Sequence, residues 1–186
     1  MSAGRVRRLE SEYDIEVQYT YYPLHPETPI EGRPILELYS GQEEAWTGVS
    51  ARLVLLMEAE GLEYGVRTHT YNSRLAQELA AWGDERGVTD ELHDALFKAY
   101  FVNNWNVAHA EVLVDAAASV GLDAAEVHAV LEERTYRGTV DDHWKRTTDL
   151  GVTGVPTCVS EGFGVVGAQP YEVLEDLASR AGAVRR

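Results

Sequence analysis

The run Gly151-Val-Thr-Gly-Val-Pro-Thr157 constrains this chain more than any other stretch. Val159, Phe163 and Val166 continue it as a β-like pattern broken by Gly162 and Gly164. A proline inside such a pattern gives up a ladder donor, so it belongs at a strand start, an edge or a bulge. On spacing alone Pro156 reads as an ordinary trans strand start, since cis bonds occupy only about 5–6% of X-Pro sites in folded proteins. A cis Val155-Pro156 bond would instead turn the chain sharply and leave neighbouring backbone groups free to pair with a bound partner.

Upstream, Arg5 to Glu12 is short and charged, with no capping residue before an apolar stripe, and reads as the end of a helix. Asp14 to Tyr21 alternates, with Ile15, Val17, Tyr19 and Tyr21 on one face and Glu16, Gln18 and Thr20 on the other, which predicts a strand with one buried face. Pro23, Pro26, Pro29, Gly32 and Pro34 then stiffen a loop.

From Ser40 to Asp149 the signals are helical. Ser40 and Glu43 have capping-box spacing ahead of Trp46, Val49, Leu53, Leu56 and Met57, whose spacing predicts a helix with one buried face that stops near Gly61. Asn72 is placed to cap a helix carrying Leu75, Leu79 and Trp82, and Thr89 one carrying Leu92, Leu96, Phe97 and Tyr100. Val107 to Val120 reads as a further helix. Asp123 and Glu126, flanked by Leu122 and Val127, form the plainest helix start in the chain. Val140, Trp144 and Leu150 suggest a last helix before Gly151. A strand over 155–159, a glycine-bearing turn, a strand near 163–166 and a helix opening at Pro170 with Tyr171, Leu174 and Leu177 inward complete the chain.

These 186 residues can bury one good core, or one core with a packed insertion. A net charge of -15 repels phosphate backbones and anionic lipid, so neither nucleic acid nor a membrane surface is an expected partner. The N-terminus carries arginines with no apolar stretch behind them, which is not a secretory signal, and the single cysteine, Cys158, points to the cytoplasm.

The segment Gly-Val-Thr-Gly-Val-Pro, the Gly167-Ala-Gln-Pro170 that opens the final helix, and Pro23-Leu-His-Pro-Glu-Thr-Pro-Ile-Glu-Gly32 together resemble the DsbA family of thioredoxin-fold oxidoreductases, most closely its cytoplasmic FrnE-like branch. The likeness runs over nearly the whole chain from Arg5. It implies an α/β, thioredoxin-like fold in which residues 1–39 and 151–186 form a discontinuous thioredoxin-like domain around a helical insertion at 40–150. It implies a cis proline at Pro156, with Val155, Pro156 and Thr157 holding an extended protein or peptide substrate. The implied chemistry is thiol-disulfide oxidoreduction or isomerisation, with no resident cofactor beyond possible use of glutathione.

That chemistry runs on a Cys-x-x-Cys motif, and the sequence has none. By the resemblance, the motif and the central first strand would lie ahead of Met1, so the chain is expected to start late and, as written, not to reduce disulfides by the dithiol route. Removing that strand would leave two unpaired edges. Two further readings stand beside this one. One is a non-catalytic peptide-binding module. The other is a glutathione-dependent isomerase or transferase like the kappa class, for which Ser2 lies too near the terminus to serve as the catalytic serine.

The remaining constellations have plainer readings. Cys158 is a candidate lone thiol, yet a buried small hydrophobe is the commoner fate of a free cysteine, and a lone thiol has no partner to resolve a mixed disulfide. Gly162, Gly164 and Gly167 satisfy G-x-G-x-x-G but span a hairpin near the end of the chain, so no dinucleotide site is expected. Asp141, Asp142 and His143 are consecutive and diverge on a helix, so they read as solvated surface and no metal site is expected. Asn72, Ser73 and Arg74 resemble a segment near the family's cleft, although a plain helix cap accounts for them.

Overall fold

The computed structural model describes residues 2–39 and 43–186. The chain forms two compact units, one of residues 1–24 with 143–186 and one of residues 25–142. The inner unit thus begins at His25 and ends at Asp142, where the sequence reading set bounds of 40 and 150.

The inner unit is helical. Two-residue strands β1 (Arg33–Pro34) and β2 (His69–Thr70) pair antiparallel. Between them lie a 3-10 turn (Ile35–Tyr39) and α2 (Glu43–Ala59). After β2 come α3 (Arg74–Glu85), α4 (Thr89–Phe97) running on into a π-helical turn at Lys98–Val102, α5 (Ala110–Ala118) and α6 (Ala124–Glu133). Next comes α7 (Arg137–Asp149), within which the boundary between the units falls. Leu79, Leu92, Leu113, Val127 and Val140 are wholly buried and Trp82 is 1% exposed. The period of apolar residues on α3 to α6 turns one stripe of each helix toward this core. Gly83 permits close packing of α3 on α4, since a Cβ there would lie 2.5 Å from Leu92 Cδ2.

Asp123 caps α6 as its sequence predicts, its carboxylate accepting from the N–H groups of Ala125 and Glu126. Three expectations fail in this unit. Thr89 is the first helical residue of α4 rather than its cap, and Val88 before it offers no side-chain bond. Phe97, the last residue of α4, is exposed, with only the rings of His93 and Phe101 near it at 6.1 and 6.0 Å between centroids among the described aromatic contacts. No described side chain of α2 is fully buried, and Val49, Leu55 and Leu56 are exposed. Its apolar residues run round much of the helix, and among the described residues it is the 3-10 turn that packs against it closely, Tyr39 lying 5.1 Å ring to ring from Trp46. The Ser40 end of its capping box lies outside the described residues.

The outer unit carries α1 (Ser2–Glu12), the second half of α7, the hairpin β3 (Thr157–Ser160) and β4 (Phe163–Val166), and α8 (Tyr171–Arg180). The hairpin turns on Glu161 (φ 47°) and Gly162 (φ 81°), a two-residue turn with both central residues left-handed that matches the twist of its strands. Leu9 and Tyr13 meet Tyr171, Leu174 and Ala178 in a small cluster, with Ile15, Cys158 and Val165 packed at its margin.

Asp14 to Tyr21 keeps the predicted alternation, Ile15, Val17 and Tyr19 half-buried between exposed Asp14, Glu16 and Gln18, but it joins no sheet among the described residues. Alternating side chains orient a segment, whereas a ladder needs a neighbouring strand, and among the described residues β3 and β4 pair only with each other. At its start Asp14 N–H bonds Val184 O and Tyr13 bridges Arg185, so the C-terminal tail takes the place a strand would fill. Among the described residues no helix is long and apolar enough to cross a membrane.

Candidate functional site

The site is built on the start of β3. The Val155-Pro156 peptide bond is cis. Pro156 O accepts from Gly167 N–H at 2.7 Å, extending the ladder in which Thr157 faces Val166 and Cys158 faces Val165. Along an antiparallel pair the bonding residues alternate. Pro156, Cys158 and Ser160 therefore turn their peptide groups toward β4, while Val155, Thr157 and Val159 turn theirs to the other edge. Among the described residues no strand covers that edge. Val155 and Val159 are each half exposed. Thr157 is anchored from its side chain, Oγ1 donating to Gly154 O at 2.7 Å. Val155, Pro156 and Thr157 are thus brought together as one short platform with an open backbone edge.

Cys158 points away from that edge. It packs beside Val165 against the cluster of α1 and α8, and burial pushes its thiol above the ordinary cysteine value. At neutral pH it is a thiol rather than a thiolate, which suits packing and not attack.

The loop before α8 is held by contacts the sequence did not suggest. Arg5 Nη1 donates to Gln169 O at 2.6 Å, and Gln169 Nε2 donates to Val166 O at 2.6 Å. The first joins residues 164 positions apart, so no local pattern could announce it. Helix α8 starts at Tyr171 with Pro170 just before it, one residue from the sequence reading, and Tyr171, Leu174 and Leu177 are buried as expected.

The other candidates disperse. Asn72 lies one residue before the cap of α3, where its Oδ1 accepts from Arg74 N–H at 2.9 Å. Its Nδ2 donates to Thr28 O at 2.8 Å and Pro26 O at 3.3 Å, so one side chain both starts a helix and pins the proline loop. Ser73 makes no capping bond. Arg74 turns inward to Glu78 and also pairs with Asp141 at 2.8 Å. Asp142 is exposed, and His143 stacks on Tyr21 with ring centroids 5.3 Å apart. No group of three or more His, Cys, Asp or Glu that would hold a metal ion occurs among the described residues. Gly162, Gly164 and Gly167 fall in the hairpin and just after it, where Gly162 and Gly167 have positive φ. Leu150, read with Val140 and Trp144 as part of a last helix, lies beyond the end of α7 and is exposed.

A hairpin entered through a cis proline, followed by a helix and preceded by a helical insertion, is the arrangement of a thioredoxin-type fold. Comparison with known proteins agrees. The DSBA-like thioredoxin domain matches residues 2–178, and the chain belongs to that family. Its fold is the DsbA-like thioredoxin fold, mostly helical with few strands. It is similar to the crystal structure of a probable DsbA oxidoreductase, SCO1869, from Streptomyces coelicolor, with a TM-score of 0.86 and 30% identity over 97% of this chain and 83% of that one. It is also 26% identical over 170 residues to the uncharacterized protein YwbO of Bacillus subtilis (strain 168), covering 89% of this chain and 82% of that protein.

Proposed function

We propose that this chain serves thiol-disulfide exchange of the DsbA type by holding an extended thiol- or disulfide-bearing protein segment along the open edge of β3 at Val155, Pro156 and Thr157. The open edge itself carries the reading, because outward N–H and C=O groups beside half-exposed valines are what strand addition needs. Membership of the DSBA-like family supports this class of partner. The loop Pro23 to Gly32 supports placement in the FrnE-like branch, and a chain with one thiol suits the reducing cytoplasm.

A dithiol cycle needs one thiolate to attack and a second thiol to release the mixed disulfide. With Cys158 as the one cysteine, packed against the core and shifted toward its neutral form, these 186 residues bind rather than turn over. Calorimetry with an extended apolar peptide carrying a disulfide should give a Kd on the order of 10–100 µM. Val155→Asp should weaken it at least about tenfold, and Cys158→Ser should leave it unchanged. Insulin reduction by dithiothreitol should not accelerate when the protein is added. Absence of peptide binding, or rapid insulin reduction, would overturn the reading.

A further inference from the structure

The second edge of the hairpin carries a separate inference. Because Phe163 and Val165 bond inward to β3, Gly164 and Val166 direct their peptide groups outward from β4. Val166 O already accepts from Gln169, which leaves Gly164 N–H, Gly164 O and Val166 N–H as the outward groups. Edges of this kind are ordinarily protected by a charge, a proline or a bulge. Phe163-Gly-Val-Val166 has none of these, and Phe163 and Val166 are each about half exposed.

Beside this edge, β4 and α8 enclose a groove of about 100 Å³ lined by Phe163, Gly164, Val165, Val173, Leu177 and the pair Asp176 and Arg180. Asp176 and Arg180 sit one turn apart on α8 and pair with each other at 2.8 Å, their side chains 58% and 62% exposed and so open to a second pair. Two copies of this helix laid antiparallel bring the Asp176 of each against the Arg180 of the other, so the surface is complementary to itself. A twofold interface has that property by construction.

We propose that β4 is the contact edge of a homodimer, its two copies paired antiparallel with Gly164 on the twofold axis. Gly164 then exchanges N–H and C=O with its counterpart, and the partner's Phe163 lies opposite Val165 over the groove. Gly164 has no side chain to hold the edges apart. The peptide edge on β3 stays open in this arrangement, so peptide binding and pairing are independent.

Sedimentation equilibrium in about 0.15 M salt, where the -15 charges of two copies are screened beyond about 8 Å, reads the outcome. The full chain should approach twice its 20.7 kDa mass as concentration rises toward about 1 mM. Gly164→Lys should return it to a monomer with unchanged circular dichroism, because a Cβ at this position meets its nearest atoms at an ordinary 3.7 Å. Arg180→Asp, on an exposed side chain, should weaken pairing about tenfold, and the double swap D176R/R180D should restore it. A mass of 20.7 kDa throughout, or a dimer indifferent to both Gly164→Lys and Arg180→Asp, would overturn the proposal.

Discussion

The two units differ in how completely they are closed. Among the described residues of 25–142, Leu79, Leu92, Leu113, Ala117, Val127 and Val140 lose all contact with solvent, whereas the most buried aliphatic of the outer unit, Leu174, remains 4% exposed and its cluster is ringed by half-buried neighbours. Helices satisfy their own backbone and need only a stripe of apolar contacts from nearby residues. A sheet must find both its backbone partners and its core elsewhere in the chain. The helical unit is therefore the more closed one, and in the outer unit no strand among the described residues covers either edge of the hairpin.

Polar groups divide the same way. Glu78, buried on α3, is clasped by Arg134 through bonds of 2.6 and 2.7 Å and by Arg74 through one of 2.7 Å. Burial by itself would raise its carboxyl, but the hydrogen bonds and charges of Arg134 and Arg74 outweigh it and hold the group below the ordinary carboxylate range. In the outer unit the corresponding links lie nearer the surface. Tyr13 OH donates to Glu175 and Tyr171 OH to Glu12, while the Arg8 guanidinium sits 3.7 Å over the Tyr171 ring.

The sharpest way to break this contrast is to open a void in the closed unit. Trp82→Ala should cost about 3–5 kcal/mol by urea denaturation, since the ring is almost fully enclosed and carries Arg86 on one face. A loss below about 1 kcal/mol would show that the helical core is looser than its burial indicates. Next, Glu78→Ala should cost about 3 kcal/mol by leaving two guanidinium groups without their shared carboxylate.

Glu78→Gln tests the pH dependence of the same group. A carboxyl with a depressed folded pKa contributes stability that is complete above its unfolded value and is lost as pH falls through the folded one. The wild-type urea midpoint should therefore drop between the ordinary carboxylate range and lower pH, and the drop should shrink in the Gln variant. An identical slope in both would assign the acid sensitivity to other groups.

In the open unit the matching truncation should be milder. Leu174→Ala is expected to cost about 2–3 kcal/mol, because half-buried neighbours can settle into the space. Hydrogen exchange should then rise in α1, α8 and the hairpin before it rises in α3 to α6. Smallest of all is the effect at Cys158. Its raised thiol should alkylate more slowly than a free cysteine at neutral pH and speed up in urea, with stability hardly altered by Cys158→Ala. Fast alkylation of the native protein would restore Cys158 as a candidate nucleophile.

Local signals were most legible where one element could be read alone. Asp123 announced its cap, the β-like run through Phe163 and Val166 announced β4, and Tyr171, Leu174 and Leu177 announced the buried side of α8. They failed where the answer depended on a distant neighbour. The pattern at Asp14 to Tyr21 describes a strand whose ladder is missing, and the stripe on α2 describes a buried face that no element covers fully among the described residues. Of the candidate site, Pro156 stood out by its misfit within a β pattern. The free edges beside it did not, since an edge is defined by which strands are absent from a neighbourhood.

What the sequence determined by itself was the period of each segment, the position of its stops, the family likeness and the single thiol, all of which follow from residue type and spacing along the chain. The tertiary structure decided which of those segments found partners. It turned Cys158 into the packed margin of α1 and α8, made Asn72 a clamp on a loop more than forty residues earlier, and left both edges of the hairpin without a strand partner among the described residues. Burial and backbone pairing depend on residues far apart in sequence, so no pattern within one segment contains them.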